Sequence, residues 1–455
     1  MLLYHYTILI VNAVNPGFLI FVMRFIMRLR PKAIRENDEF ALSRNLFLIE
    51  CLLEFFIQET ARGVYFAKLT TTVGISDEMT AILAELTSLS GLFQLFSIAL
   101  AHRTPVKRWL LPLITCSQLL IAFVYMIPLF DLSLSTSAIF FVIILLARAT
   151  QSIAVPAKSN WLRSLVEPSK RGEYISKNNM ISILGGMVFT VTMSGIIDHF
   201  EKIGNMNGAF LCFTIVILVI SVLHFISLLP IKEVAIPQSK DRSPFASALD
   251  LLKNKKYQRV LLAYALFSMA SGIIVPFLGT YQINELGFSM TFISIRGTVM
   301  SFLSIASYYV IGKYSLRTTY SKLLQLSHLF YAVAFFFIII SSGRSGIVTY
   351  TAYTAIATVA GATRNVSSVN LIYELSPPEY RTTAIAINTM VTGLASFITT
   401  LCVSPLVNYI QSANNRIFGI ELYAQQLLAT ISVIIITGVI LYYKLICKKQ
   451  IDTNT

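Results

Sequence analysis

Charged residues are scarce: only 13% of the 455 residues are Asp, Glu, Lys or Arg, about half the share found in soluble domains. With 55% hydrophobic residues and a mean hydropathy of +0.70, the chain has more apolar surface than a water-soluble core can hide, which excludes a soluble globular enzyme. Cysteine is rare as well. The five present form no CxxC pair, and Cys51, Cys116, Cys212 and Cys402 lie inside apolar runs, leaving neither a disulfide framework nor a thiolate metal site. The chain also lacks a GxxxxGKS/T phosphate loop, an HExxH helix, a GxSxG elbow and the paired carboxylates of a soluble catalytic domain. ATP hydrolysis is therefore not its energy source, and no enzymatic activity, cofactor or metal is expected.

What the chain does have is apolar runs of membrane length. A hydrocarbon core of about 30 Å needs about 20 apolar residues per helix. Twelve such runs are bounded by charge or turn residues, at roughly 45–69, 79–101, 109–130, 136–157, 178–198, 208–230, 260–283, 290–312, 322–341, 346–371, 384–409 and 421–443. A further apolar stretch, Tyr4 to Met23, has no basic residues before it and no small-residue cleavage site, so it does not read as a signal peptide. Three readings stay open for it: a thirteenth span, an interfacial helix, or sequence upstream of a true start at Met23 or Met27.

The formal charge of +14 raises the question of nucleic acid, and the positions of the 36 Lys and Arg answer it. If residue 45 starts at the cytoplasm, 28 of them fall in cytoplasmic segments, five within spans, and only Lys202, Arg344 and Arg416 on the other side. That asymmetry is the positive-inside signature of membrane insertion, so no nucleic-acid partner is expected. The partners are membrane lipids and a small-molecule substrate, and a monomer is expected.

The longest charged connection, 231–259, holds Pro237, Pro244 and a basic amphipathic piece, and it divides the twelve spans six and six. The organisation is thus an N-terminal extension (1–44), a first six-helix half (45–230), a cytoplasmic linker (231–259) and a second half with its tail (260–455). Shifting the chain on itself by 210 residues aligns Asn160–Leu184 with Asn370–Leu394 without a gap. The identities include Asn160/Asn370, Pro168/Pro378, Arg171/Arg381 and Asn178/Asn388. The same offset lays Arg103 on Lys313 and Lys107 on Arg317. An offset that preserves helix direction means a parallel repeat, related by an axis along the membrane normal, with a site expected near midplane. The fold class is therefore an all-α integral membrane protein made of two six-helix bundles related by a pseudo-two-fold axis.

Over roughly residues 45–445 the chain resembles a bacterial-type major facilitator superfamily transporter. The connection Trp161-Leu-Arg-Ser-Leu-Val-Glu-Pro-Ser-Lys-Arg171-Gly172-Glu-Tyr174 is similar to the family's "W…LVP…RG.Y" signature, and Arg148-Ala-Thr-Gln151-Ser152 to its RxxQG motif. The loop motif between the second and third spans survives only as Ala101-His102-Arg103-Thr-Pro-Val-Lys107-Arg108, with His102 in place of the motif's Asp. The resemblance implies a secondary transporter of the cell membrane that moves a small solute by alternating access, with protons as the candidate coupling ion. A non-transporting sensor or scaffold that keeps the fold is the alternative, and a membrane-embedded enzyme or scramblase is a third.

Ionisable side chains at the centre of a span cost about 2.5–3.5 kcal/mol on insertion scales, so each should face a cavity or a partner. The first span is richest. Glu50, Glu54, Gln58 and Arg62 recur every four residues along one face, and Glu59 lies one turn from Arg62. In the family the first, fourth, seventh and tenth spans line the central cavity. The candidates for substrate or proton coupling are thus Glu54, Gln58, Glu59, Arg148, Gln151, Arg364 and Asn365, with Arg148 as the expected partner of Glu54 or Glu59. An arginine pair and a first-span carboxylate suit an anionic or zwitterionic solute. Arg103, Lys107, Arg171 and Arg381 are the candidates for conformational control at the cytoplasmic loops. His224 and His328 read as packing residues of the sixth and ninth spans.

Overall fold

The computed structural model describes residues 39–101, 106–130, 136–167, 170–233, 250–343, 345–377, 380–417 and 420–447. The Tyr4–Met23 stretch, Arg103 and most of the 231–259 linker lie outside the described residues. The first half begins with α1 (Ala41–Thr60), and a turn at Ala61-Arg62 passes into α2 (Gly63–Thr72). After another turn come α3 (Asp77–Leu89), a 3-10 turn (Ser90–Phe93) and α4 (Gln94–Ala101). Then follow α5 (Val106–Met126), α6 (Thr136–Leu165), α7 (Arg171–Lys202) and α8 (Met206–Leu228). In the second half α9 (Lys255–Ile274) continues through 3-10, α and π turns to Glu285. The change of winding falls at Pro276, which has no backbone N–H to give an α-helical bond. α10 (Met290–Ser315), α11 (Tyr320–Ile339), α12 (Gly346–Leu375), α13 (Arg381–Ser412) and α14 (Ala424–Tyr442) complete the chain. A small hairpin, β1 (Arg416–Ile417) against β2 (Ile420–Glu421), precedes α14.

The 210-residue repeat is visible in the helix boundaries. α6 and α12 are each 30 residues long and α7 and α13 each 32, and both pairs start and end 210 residues apart. At about 1.5 Å per residue the 32-residue helices run to about 48 Å, well beyond the hydrocarbon core. A second correspondence lies ahead of α3 and α10. Gly74 (φ +77°) and Gly287 (φ +65°) make the same left-handed turn, which carries no penalty for glycine. Two residues on, Ser76 and Ser289 each accept a bond from the N–H three positions later, Met79 and Phe292, at 3.2 Å. This is the N-cap arrangement.

Among the described residues nine helices are long and apolar enough to cross a membrane by length and composition. The three expected spans missing from that set are the first, second and tenth. The first carries three carboxylates and ends at the α1–α2 turn, the second is broken by the 3-10 turn, and the tenth is rich in Thr and Ser. Polar side chains and breaks in winding lower the hydropathy and the continuous length of these three. Outward faces are apolar: Phe302, Tyr309 and Val310 on α10 and Ile434 on α14 are more than half exposed.

The chain divides into two compact units, one made of the described residues of Met1–Leu69 and Phe93–Gln238, the other of Thr70–Leu92 and the described residues of Ser239–Thr455. In the first, Phe47, Leu110, Ile114, Leu165 and Leu228 pack round Trp161, whose Nε1 donates to the Lys232 carbonyl at 2.9 Å. In the second, Phe267, Phe277, Tyr281, Phe335, Tyr350 and Leu428 belong to one apolar cluster. There α3 lies on α13 so closely that a Cβ at Gly393 would stand 2.3 Å from the Ser88 carbonyl oxygen.

Candidate functional site

In the first unit α1 and α6 meet through a ladder of polar side chains. Reading up α1 and down α6, Glu50 and Glu54 face Lys158, Glu54 also faces Gln151, and Gln58 and the Ala61 carbonyl face Arg148. The four-residue spacing on α1 and the 148, 151, 158 spacing on α6 each keep these groups on one helix face, so antiparallel packing zips them together. The polar face of the first span is thus paired.

At the end of the ladder nearer the N-terminus of α1 lies a charge cluster. Glu50 is fully buried. Its Oε1 accepts from Lys158 Nζ at 2.7 Å and from His224 Nε2 at 2.9 Å, and its Oε2 accepts from the Cys51 thiol at 3.2 Å. The same ammonium pairs with Glu54 Oε2, while Gln151 Nε2 donates to Glu54 Oε1. His224, also fully buried, is held on its other side by Gln118, whose Nε2 lies 3.2 Å from Nδ1. Glu54 and Lys158 side chains retain 12% and 13% exposure, so they are the members of the cluster open to water. Glu50, Glu54 and His224 offer ligand atoms within 4.8 Å of one another, and the Lys158 ammonium is already paired with both carboxylates there.

Two expectations are corrected. Arg148, 6% exposed, bonds to Gln58 Oε1 at 2.7 Å and to the Ala61 carbonyl rather than to a carboxylate; the cation on Glu54 is Lys158. His224 is a hydrogen-bonded member of the cluster, not a packing residue. The apolar run that marks the fourth span ends at residue 157, which leaves Lys158 just outside the expected span. The helix continues to Leu165, and the face shared by Arg148, Gln151 and Lys158 was the signal that could have found it. Glu59 stands apart from the ladder, paired with Arg62 one turn on.

In the second unit Arg364 on α12 stacks its guanidinium over Phe267 at 4.3 Å, and its Nε is buried without a hydrogen-bond partner. Phe267 stacks in turn on His328 at 4.7 Å, as a packing histidine should. Asn365 donates to the Tyr308 hydroxyl at 2.8 Å, at the exposed edge of α12. Arg296 is likewise held by Gln282 and by the face of Tyr350 at 4.7 Å. Among the described residues, then, Arg148, Arg296 and Arg364 have no carboxylate partner.

The loop candidates act on helix ends. Arg171 Nε donates to the Val166 carbonyl at 3.2 Å and Arg44 to the Leu165 carbonyl at 3.1 Å, closing the C-terminus of α6. Tyr174 donates to the Arg44 carbonyl at 2.6 Å, and burial pushes its phenol well above the ordinary range, so the donor proton stays in place. Lys107 Nζ reaches the carbonyls of Leu229 and, at 3.0 Å, Ile231, past the end of α8. Arg381, at the position matching Arg171, lies over the Tyr373 ring at 5.1 Å.

Long helices repeated at a 210-residue offset, nine of them among the described residues long and apolar enough to cross a membrane, are those of a multi-pass membrane protein. The family model of the Major Facilitator Superfamily matches residues 51–400, and the chain belongs to that family. Solved structures agree on the fold. A mutant of the nucleoside transporter NupG is 12% identical with a TM-score of 0.71, over 88% of this chain and 99% of that one. A bacterial homologue of the human lysosomal transporter Spinster, inward-facing, is 13% identical with a TM-score of 0.64, over 90% and 96%. A POT family transporter bound to a thioalcohol-conjugated peptide is 12% identical with a TM-score of 0.64, over 89% and 96%. No curated protein matches the chain by sequence.

Proposed function

We propose that this secondary transporter works in the cell membrane and couples the movement of a small solute to protons through Glu54 and Lys158, with the halves 45–230 and 260–455 alternating access. The observation that carries the reading is one ammonium shared between two carboxylates of unequal exposure. Glu50 is sealed and keeps its charge paired, while Glu54 is reachable by water. Protonating Glu54 frees Lys158 to rest on Glu50 alone, and deprotonation recaptures it. A pair that opens and closes in this way ties proton binding to rearrangement of α1 against α6, whereas a permanently closed pair couples nothing. The arginines without carboxylate partners, Arg148 and above all Arg364 on its aromatic platform, suit a solute that carries negative charge.

The test is transport by purified protein in vesicles. Nucleosides, short peptides, amino acids and organic acids are offered with and without a pH gradient. Glu54→Gln should abolish gradient-driven accumulation while sparing solute exchange. Accumulation that survives Glu54→Gln and keeps its dependence on the gradient would reject the assignment.

A further inference from the structure

The charge cluster is one positive charge short. Two carboxylates, Glu50 and Glu54, face a single ammonium, Lys158, and the fourth member is an imidazole that is charged only if protonated. In the interior of a membrane protein an uncompensated charge is expensive, and two groups can remove it by taking a proton: Glu54, as proposed above, and His224.

The hydrogen bonds fix which ring nitrogen is free. Glu50 is a carboxylate, accepting also from the Lys158 ammonium and the Cys51 thiol, so His224 Nε2 must carry the proton in the 2.9 Å bond to it. Nδ1 is then bare and accepts from the Gln118 amide at 3.2 Å. The same amide has a buried carbonyl oxygen, Gln118 Oε1, with no partner. A half-turn of the Gln118 amide about its Cγ–Cδ bond would exchange its nitrogen and oxygen. It would then present to Nδ1 an acceptor in place of a donor. The neutral and protonated rings therefore each have a matching orientation of Gln118, and in the present one an acceptor is left over.

We infer that His224 is a proton-binding site, with the proton taken up on Nδ1 and Gln118 as the positioning residue that turns to receive it. Binding one proton brings the cluster to neutrality while both carboxylates stay ionised and Lys158 stays in place. The charged groups facing His224 are of both signs, the Glu50 carboxylate favouring a charged ring and the Lys158 ammonium opposing it. From α1 come Glu50 and the Cys51 thiol, and from α6 comes Lys158, whose charge is shared with Glu54. From α5 comes Gln118, and Asn178 on α7 reaches the Cys51 thiol. The inference rests on the proton-coupled reading for its meaning in transport, but it is tested without transport.

The experiment is nitrogen NMR of the full-length protein in detergent micelles, labelled at the histidine rings, over roughly pH 5 to 9, where imidazoles change charge. His224→Gln, which keeps an amide donor toward Glu50, assigns the signal. The expected result is a neutral ring protonated at Nε2 at the alkaline end and a doubly protonated ring at the acid end. In Gln118→Leu, which has no oxygen for Nδ1–H, the midpoint should fall by about one pH unit, a tenfold loss of proton affinity. A ring that stays neutral across the range, or carries its proton on Nδ1 when neutral, overturns the inference, as does a midpoint that Gln118→Leu leaves unmoved. Loss of driven transport in Glu54→Gln, with His224 titrating in the parent protein, would support the proton site and the coupling together. Titration of His224 with Glu54→Gln still driven would overturn the coupling assignment alone.

Discussion

Replacing Lys158 by Met removes the only ammonium of the cluster and leaves its apolar stem nearly intact. Glu50 then keeps two neutral donors, His224 and Cys51, for a charge with no exposure, and Glu54 keeps only Gln151. Stranding one partner of a buried ion pair costs about 3–5 kcal/mol. Most of this falls on Glu50, since Glu54 retains some exposure and is partly hydrated. The cost should be relieved by acid, because protons then supply the neutralisation the ammonium no longer gives; unfolding of Lys158→Met should therefore resist heat better as the pH falls. The double variant Glu50→Gln, Lys158→Met should be more stable than Lys158→Met alone, with a coupling of about 1–3 kcal/mol. The chain offers its own probe: both tryptophans, Trp109 and Trp161, lie in the apolar cluster of the first unit, so fluorescence-detected unfolding in detergent reports that unit. Additive single effects, or a Lys158→Met variant as stable as the parent at every pH, would refute the reasoning.

Gly393→Ala should destabilise the second unit by about 1–3 kcal/mol, because the added Cβ meets the Ser88 backbone carbonyl, which cannot swing away; a thermal unfolding temperature equal to the parent's would contradict this. Ser76→Ala and Ser289→Ala should each cost about 1 kcal/mol through the lost N-cap bond, and unequal losses would count against the structural repeat. In a cysteine-free background, impermeant labelling in intact cells should reach cysteines at 75, 134, 204 and 414 and fail at 105, 168, 245 and 380, as the positive-inside asymmetry requires; the reverse pattern would invert the topology.

The helices were legible in the sequence because membrane length, charge asymmetry and an internal repeat are one-dimensional signals. The repeat was legible to the residue: the register that aligns Asn160 with Asn370 is the register of the α6–α12 and α7–α13 boundaries. The site was legible only along single helices. Glu54, Gln58, Arg148 and Gln151 announce themselves as polar residues at helical spacing, and the structure joins them in one ladder. Which cation would meet which carboxylate depends on the relative heights of α1 and α6, which no periodicity records. Hence Arg148 was expected on a glutamate that Lys158 holds. His224 was hidden for a related reason: a lone histidine on an apolar helix looks the same whether it packs or bonds, and its partners Glu50 and Gln118 come from two other helices.

The coupling claim is tested most directly by following protons and solute in the same vesicles. Purified protein is reconstituted with a pH-sensitive dye sealed inside, and the solutes of the panel are added without an imposed gradient. The account predicts that any solute carried inward changes the luminal pH with it, acidifying it in symport or alkalinising it in antiport, and that Glu54→Gln abolishes the change while solute exchange continues. Solute entry with no accompanying change in luminal pH in the parent protein would contradict it.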